Sequence, residues 1–484
     1  MLEKLTPGTE LDGFVIGERI HSGAQGVILR VTSPAEDIPL IMKVPRVGRG
    51  ETSESLLNFE TEAMILPALS GPHVPHLIAA GDLDRTPYLV TEWIEGDSLE
   101  HWLKGGPLPA VEVVRVGAAI ADALHSVHMQ DTIHLDLKPE NVILKRNGTA
   151  VLIDFGLAHH AHYPDLLAEE KRFAAGSAPY ISPEQVLDSR SDSRSDIFSL
   201  GVVLYEMTTG ELPFGLPETV KGMRDRLWRD PVPPRALAGE VAPWLQEIIL
   251  RCMEISAEDR YQSAAYVAFD LRNPEQVTLT ARADKLQSAG FFGQVERWWK
   301  ARDHLPSHRR LPTLPASEAP IVMVAVDTSN PDDPRHPALQ RATSRVLSLS
   351  AEFRLICVSA IRAPNLVEGS GGTATASGLH MEHLVRLRHW VEPLGLPATR
   401  LSLHVIESAN PADTLLEFAQ RNNVNLIVLG APGAKEHALA WWRSVASNVT
   451  ARAHCSVHVV RVPVRNTRAI AKNHKGINTN TKHS

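Results

Sequence analysis

Cysteine is scarce in this chain, with 3 among 484 residues. Cys252, Cys357 and Cys455 stand far apart, are odd in number and each sit in an apolar stretch, so neither a disulfide framework nor a zinc site is indicated. They read as buried thiols in a reducing compartment. Long hydrophobic runs are missing too. No stretch reaches the roughly 18 uncharged apolar residues of a membrane helix, and Met1 to Glu10 lacks the basic-then-apolar order of a signal peptide. A cytoplasmic protein without a membrane partner is expected. An excess of positive charge is also lacking: 49 Lys and Arg face 56 Asp and Glu, for a net charge of −7. No global basic field argues for a nucleic-acid partner. The marks of disorder are absent as well, since 43% of residues are hydrophobic and 22% charged, which is the range of folded domains. At about 150 residues per domain, the length implies two to four folded units.

What is present divides the chain into three territories. Residues 11–272 carry short apolar runs, strand-like at Phe14 to Ile16, Val27 to Val31 and Leu40 to Val44 and helix-like later. This order predicts a small sheet-rich lobe (11–95) before a larger helical lobe (96–272). Residues 273–318 hold Pro274, Pro306, Pro312 and Pro315 and read as a linker, in which Phe291, Phe292, Trp298 and Trp299 call for a helix packed on a neighbouring lobe. Residues 319–463 alternate β-branched runs with helical stretches. Strands are expected at Ile321 to Val326, Phe353 to Val358, Leu401 to Ile406, Leu426 to Leu429 and Val457 to Val462. Crossover helices are expected at Ala338 to Ser350, His380 to Leu394, Pro411 to Arg421 and Trp442 to His454. That alternation specifies an α/β domain with a five-stranded parallel sheet covered on both faces. Residues 464–484 have five Lys or Arg, no acid and few apolar groups, and read as a disordered basic tail.

The chemistry concentrates in the first territory. The turn Ile20-His21-Ser22-Gly23-Ala24-Gln25-Gly26-Val27-Ile28 has the small residues that let backbone amides approach phosphate oxygens; a plain hairpin turn would read the same. Lys43, inside the apolar strand Leu40-Ile41-Met42-Lys43-Val44, needs a compensating anion. Glu62 on the following helix is the natural partner, with Glu60 as its rival. Two apolar strands then deliver polar groups to one pocket: Asp136, Lys138 and Asn141 in Ile133-His134-Leu135-Asp136-Leu137-Lys138-Pro139-Glu140-Asn141, and Asp154 in Val151-Leu152-Ile153-Asp154-Phe155-Gly156. Hard oxygen ligands from Asn141 and Asp154 suit a magnesium ion bridging nucleotide phosphates, and Asp136 is free to orient an attacking hydroxyl.

These residues resemble the catalytic domain of a eukaryotic-type serine/threonine protein kinase of bacteria. The resemblance spans about 260 residues and continues in order through Gly176-Ser177-Ala178-Pro179-Tyr180-Ile181-Ser182-Pro183-Glu184, Asp196-Ile197-Phe198-Ser199-Leu200-Gly201 and Asp259-Arg260-Tyr261. It implies an α+β bilobal fold that uses ATP and Mg²⁺, with Mn²⁺ as a substitute, on Ser or Thr of protein substrates. Lys43 would contact the α and β phosphates and pair with Glu62. Asn141 and Asp154 would hold the metal, Asp136 would be the catalytic base and Lys138 would neutralise the γ phosphate. Thr91 would back the adenine pocket, the Glu92, Trp93 and Ile94 backbone would bond adenine, and Ile20, Ile28, Ile41 and Leu144 would sandwich the ring. Glu184 and Arg260 would form a buried ion pair, and Asp196 would anchor the catalytic loop.

Departures from the family pattern are informative. His21 takes the place of the first loop glycine, although Gly23 and Gly26 remain. Leu135 replaces the arginine that reads a phosphorylated activation loop. The segment from Leu157 to Ala175 has no Ser or Thr and carries Glu169 and Glu170, so activation independent of loop phosphorylation is expected, with Ser177 in a supporting role. Ser182 in place of alanine is read as neutral. His159, His160 and His162 read as solvated or substrate-facing rather than metal ligands, and His134 as a core histidine near Phe155.

In the third territory Asp327 ends the first strand, and Gly430 and Gly433 follow the fourth. The closing run from Ser444 to Val460 completes a resemblance to the universal stress protein domain. By that resemblance Asp327, Gly430, Gly433, Arg443 and Ser444 form a second nucleotide site, in which Arg443 occupies a glycine position; the alternative is a fold that forms a homodimer without nucleotide. The reading is therefore a protein kinase with a regulatory or partner-binding C-terminal domain. A pseudokinase scaffold that binds nucleotide without transfer is the alternative, supported by His21 alone, and a small-molecule phosphotransferase leaves the Gly176 to Glu184 segment unexplained.

Overall fold

The computed structural model describes residues 5–23, 26–46, 53–81, 86–170, 176–287, 320–330, 333, 335–349, 353–361, 376–397, 400–431 and 445–461. The chain forms two compact units, one built mainly from residues up to 316 and the other mainly from those after it.

The first unit begins with a six-stranded antiparallel sheet made of β1 (Glu10–Leu11), β2 (Phe14–Ser22), β3 (Gly26–Ser33), β4 (Glu36–Pro45), β5 (Leu77–Ala80) and β6 (Leu89–Glu92), in the order β1-β2-β3-β4-β6-β5. Helix α1 (Ser53–Ile65) lies between β4 and β5 in sequence. Period-two alternation sets the two faces of this sheet. Leu40, Met42 and Val44 of β4 join Val27, Leu29 and Val31 of β3 in the lobe core. The alternate residues, Ile41 and Lys43, therefore share the other face with Ile28 and Thr91, because Ile28 pairs with Lys43 and Ile41 with Thr91.

The helical lobe follows with β7 (Asp97–Ser98), α2 (Leu99–Leu103), α3 (Ala110–His128), β8 (Thr132–Ile133), β9 (Val142–Leu144), β10 (Ala150–Leu152), β11 (His159–His160), α4 (Leu166–Glu170), α5 (Pro183–Val186), α6 (Arg194–Thr209), α7 (Val220–Met223), α8 (Pro234–Leu237), α9 (Pro243–Cys252) and α10 (Ala264–Arg272). Helix α3 buries Val113, Val116, Ile120, Leu124 and Val127 at three- and four-residue spacing, which puts one apolar stripe against the core. Helix α6 is buried almost all round, so its polar Ser195, Asp196 and Ser199 must find partners inside the lobe.

The stretch expected to be a linker is packed in its first part. Val277 and Ala283 are buried, and Gln246 of α9 donates to the carbonyls of Arg282 at 2.7 Å and Lys285 at 2.9 Å. Arg282 pairs with Glu247 at 2.9 Å and Glu254 at 2.8 Å. Gln246 and Glu247 of α9, with Glu254 just past its end, thus hold the chain through Lys285; Phe291, Phe292, Trp298 and Trp299 lie outside the described residues, as does the basic tail.

The second unit is an α/β domain. Its five parallel strands are β12 (Ile321–Ala325), β13 (Arg354–Ile361), β14 (Leu401–Glu407), β15 (Leu426–Ala431) and β16 (Ser456–Arg461), ordered β14-β13-β12-β15-β16. The helices are α11 (His336–Leu347), α12 (Ala376–Val391), α13 (Pro411–Arg421) and α14 (Val445–Arg452). Met323, Ile356 and Ile427 pack with Leu415, Phe418 and Val449 on one face. Their neighbours Val322, Val324, Leu355, Cys357 and Val428 are equally buried on the other, so both faces are covered. The strand order reverses direction between β12 and β15, which opens a crevice at their C-terminal ends.

Candidate active site

One ammonium on β4 binds two carboxylates, one from α1 and one from the stretch after β10. Lys43 Nζ donates to Glu62 Oε2 at 2.6 Å and to Asp154 Oδ1 at 2.9 Å. Glu62, not Glu60, is the partner. Burial pulls the Lys43 ammonium down, but the charges of Asp154 and Glu62 outweigh it and hold the pKa above the usual lysine range. Burial pushes Glu62 up, against the pull of Lys43. Asp154 stays below the usual carboxylate range because Lys43 more than offsets its burial. It adopts a left-handed backbone conformation, φ 65°.

The loop between β8 and β9 holds the second cluster. Asp136 Oδ1 accepts from the Ser177 amide at 3.0 Å and hydroxyl at 2.7 Å, while Oδ2 accepts from Asn141 Nδ2 at 3.0 Å and faces Lys138 Nζ at 3.0 Å. Lys138 also donates to Ser177 Oγ at 2.9 Å. Burial lowers the Lys138 pKa, yet the adjacent Asp136 carries it above the ordinary value. The loop is pinned from below by Asp196 of α6, which accepts from the amides of His134 and Leu135, both at 2.8 Å, and lies 2.8 Å from His128 Nε2. Those bonds keep Asp196 ionised despite complete burial. His134 is fully buried, with its ring 5.0 Å from that of Phe155.

Leu135 is buried with φ 60°, a conformation that costs a leucine about 1–2 kcal/mol. Asp196 grips its amide, and Gln185 Nε2 donates to its carbonyl at 2.9 Å. Gln185 is itself half of a reciprocal cap: its amide donates to Ser182 Oγ at 3.2 Å and its side chain accepts from the Ser182 amide at 3.1 Å. Ser182 is therefore not neutral, since its hydroxyl caps α5. Behind it, Glu184 and Arg260 form a two-pronged pair at 2.6 and 2.9 Å, with Ser195 Oγ donating to Glu184 at 2.7 Å.

Arg190 is the residue that sequence reasoning missed. Its Nε donates to Asp165 Oδ2 at 2.9 Å and its Nη2 to the Leu157 carbonyl at 2.8 Å, so a buried guanidinium ties down the segment after Asp154. Asp165 stays far below the usual carboxylate range, because Arg190 outweighs the effect of burial. The acid in this grip is Asp165, ahead of the expected Glu169 and Glu170. The stretch Asp188-Ser189-Arg190-Ser191-Asp192 has no periodicity to mark the buried arginine; the only signal was the missing cation at Leu135. Helix α4 continues the segment, burying Leu166 and Leu167 with Leu57 of α1. His159 lies 3.3 Å from Asp165, His162 lies 3.0 Å from Asp131, and the His160 ring meets that of Tyr163 at 4.4 Å with a 53° tilt. The three histidines thus face different partners.

At the edge between the lobes, Glu92 and Trp93 donate their amides to the carbonyls of His76 at 3.0 Å and Pro39 at 2.7 Å. Their own carbonyls and the Ile94 amide remain as the groups for a planar base. Arg30 stacks over Trp93 at 4.8 Å. Ile20 lies on β2 next to an irregular register, and Leu144 is buried on β9. Gly26 fits because a Cβ there would stand 2.4 Å from the Val44 carbonyl oxygen; at Gly23 it would stand 2.8 Å from Nε2 of His21.

In the second unit, Asp327 follows β12 and Gly430 lies in β15, so both occupy the strand-end crevice. Arg335 joins them: Nη2 stands 3.8 Å from Asp327 Oδ2, and Cδ stands 3.8 Å from where a Cβ on Gly430 would be. Gly433, Arg443 and Ser444 lie outside the described residues.

An antiparallel sheet followed by a helical lobe, with these two charge clusters, is the arrangement of a protein kinase fold. Residues 14–269 match the protein kinase domain model and residues 320–461 the universal stress protein family model. The chain belongs to the protein kinase family and carries a universal stress protein domain C-terminal to it. It is similar to a probable serine/threonine-protein kinase of Clostridium perfringens, 32% identical over 234 residues covering 48% of this chain and 34% of that one. Against the serine/threonine-protein kinase PknB of Mycolicibacterium smegmatis it is 30% identical over 271 residues, covering 55% of this chain and 43% of the relative. The chain thus spans less than half the length of either relative. The crystal structure of the Mycobacterium tuberculosis PknI kinase domain superposes with a TM-score of 0.46 at 21% identity, covering 56% of this chain and all of that one.

Proposed function

We propose that this chain is a bacterial, cytoplasmic serine/threonine protein kinase that transfers the γ-phosphoryl group of ATP to protein hydroxyls. The observation that carries the reading is the convergence of Lys43, Glu62 and Asp154 in one cluster and Asp136, Lys138, Asn141 and Ser177 in another.

The residues fit a magnesium ion. Asn141 turns its NH₂ to Asp136, which leaves its carbonyl oxygen as a ligand, and Asp154 uses Oδ1 for Lys43, which leaves Oδ2. When bound, Mg²⁺, or Mn²⁺ in its place, neutralises phosphate charge. Lys43 holds the α and β phosphates, kept in position by Glu62. The hinge carbonyl of Glu92 and the amide of Ile94 take the adenine edge in front of Thr91, with Ile20, Ile28, Ile41 and Leu144 on its faces. The acceptor oxygen attacks the γ phosphorus in line, the bond to the ADP oxygen breaks, and the hydroxyl proton passes to Asp136. Lys138 neutralises the γ phosphoryl group during transfer. Ser177 holds Asp136 and Lys138 together, which supports a structural role for it over a phosphosite. The grip of Arg190 on Leu157 and Asp165 supports a segment ordered without phosphate.

The test is incubation with γ-labelled ATP, Mg²⁺ and myelin basic protein, beside Lys43→Met and Asp136→Asn. Label on Ser or Thr that disappears in both variants is the expected result. ATP binding without transfer would establish the pseudokinase scaffold instead, and transfer to small molecules alone would establish the third reading.

For the C-terminal domain we infer a regulatory or partner-binding role, with a homodimer and a second nucleotide site as its two forms. Asp327, Gly430 and Arg335 at the crevice support nucleotide, with Gly433, Arg443 and Ser444 completing the site. Equilibrium dialysis of the full chain distinguishes the two forms: two ATP per chain, reduced to one by Asp327→Ala, is expected for the site, and one in both proteins for the homodimer.

A further inference from the structure

Arg226 follows α7 in a short 3₁₀ turn and is only 1% exposed. An arginine so buried needs its charge and its donors answered. Among the described residues it forms no ion pair with a carboxylate. What answers it is backbone: Nη2 donates to the Ala178 carbonyl at 2.6 Å, Nη1 to the carbonyls of Ile181 and, at 3.5 Å, Pro179, and Nε to Met223 at 2.8 Å. The guanidinium also lies over the Phe214 ring, 5.2 Å from its centroid.

Three of the four carbonyls it holds, those of Ala178, Pro179 and Ile181, belong to one turn. Tyr180 and Ile181 both donate their amides to the Ser177 carbonyl, at 2.9 and 3.1 Å, and Ser177 binds Asp136 and Lys138 through the contacts already described. Three links therefore run from a buried cation, through a four-residue turn, to the proposed base. The Ala178, Pro179 and Ile181 carbonyls face Arg226 and the Tyr180 carbonyl accepts from Ser199 Oγ of α6 at 2.9 Å, so the turn is held from the lobe interior while Ser177 at its start reaches Asp136. Lysine cannot reproduce this, because a single ammonium has no planar fork to span carbonyls three residues apart.

We propose that Arg226 is a positioning residue for the protein acceptor: it fixes the Ala178 to Ile181 turn against which the substrate chain aligns its hydroxyl with Asp136. The proposal rests on the kinase reading for its substrate and on geometry alone for the turn. A residue that sets acceptor placement changes the acceptor KM and leaves nucleotide affinity alone, whereas a general core residue changes both or neither.

The experiment uses the full chain with Arg226→Met and Arg226→Lys. Hydrogen exchange is followed at the amides of Tyr180 and Ile181 and in α3 and α6, and transfer to myelin basic protein is measured beside the ATP Kd. Expected is faster exchange confined to the turn, an acceptor KM raised about tenfold in Arg226→Met with the ATP Kd within twofold, and an intermediate value in Arg226→Lys. Exchange that rises equally in α3 and α6, or that does not change in the turn, would overturn the proposal. If wild type transfers nothing, the kinase reading fails while exchange at the turn still decides the positioning role.

Discussion

The catalytic cleft and the strand-end crevice of the C-terminal domain solve the placement of polar groups differently. In the cleft, charges are answered by others from distant parts of the chain: Lys43 by Glu62 and Asp154, Glu184 by Arg260, Asp165 by Arg190. In the crevice, the pairing of β12 with β15 brings Asp327 and Gly430 to the same strand ends, Arg335 stands 3.8 Å from Asp327, and the Asp327 side chain is 58% exposed. Buried charge is tolerated only in company, so the cleft imposes fixed residue identities along 260 residues of sequence. A crevice made by strand order imposes mainly a hydrophobic pattern.

Substitutions at the two places should differ accordingly. The largest loss is expected for Arg260→Met, which leaves the buried Glu184 with Ser195 as its one side-chain donor among the described residues. About 3–5 kcal/mol should disappear from the urea unfolding free energy of the first unit. Next comes Asp165→Asn, at about 2 kcal/mol near neutral pH, the worth of a hydrogen bond to a charged group. The sign of its pH dependence follows from the lowered pKa of Asp165: the stabilisation is fully present above the unfolded value near 3.9 and is lost as pH falls toward the folded one. Urea midpoints of wild type and variant should therefore differ at pH 7 and converge below about pH 4. Ser182→Ala should cost about 1 kcal/mol through the lost cap of α5, measured the same way. Asp327→Ala should change stability by less than about 0.5 kcal/mol. A loss at Asp327 as large as that at Arg260 would break the comparison.

The same contrast explains what could be read from the sequence. The strand–helix alternation after residue 319 was legible as a five-stranded parallel sheet because each strand is an unbroken apolar run. The Lys43, Asp136, Asn141 and Asp154 motifs were legible because each puts a polar group inside an apolar strand or beside one. Arg226 was not, because its partners are backbone carbonyls, which any residue supplies and no sequence marks, and Arg190 was not, because its carboxylate partner Asp165 lies 25 residues away in a stretch without periodicity. Ser182 was underrated for a similar reason, since a cap depends on where the helix starts. The linker was placed too early because Pro274 signals a turn, whereas the packing of Val277 and Ala283 and the grip of Gln246 and Glu247 become visible only in three dimensions.

On the proposed function the cleft is complete as folded, with Arg190 and Asp165 doing without a loop phosphate. The most direct measurement is the initial rate of γ-phosphoryl transfer from ATP to myelin basic protein by enzyme treated with phosphatase and shown by mass to carry no phosphate. Transfer is expected to be linear from the first turnover and reduced by roughly 10²-fold or more in Asp136→Asn. A lag removed by preincubation with ATP, or a rate that Asp136→Asn leaves unchanged, would contradict it.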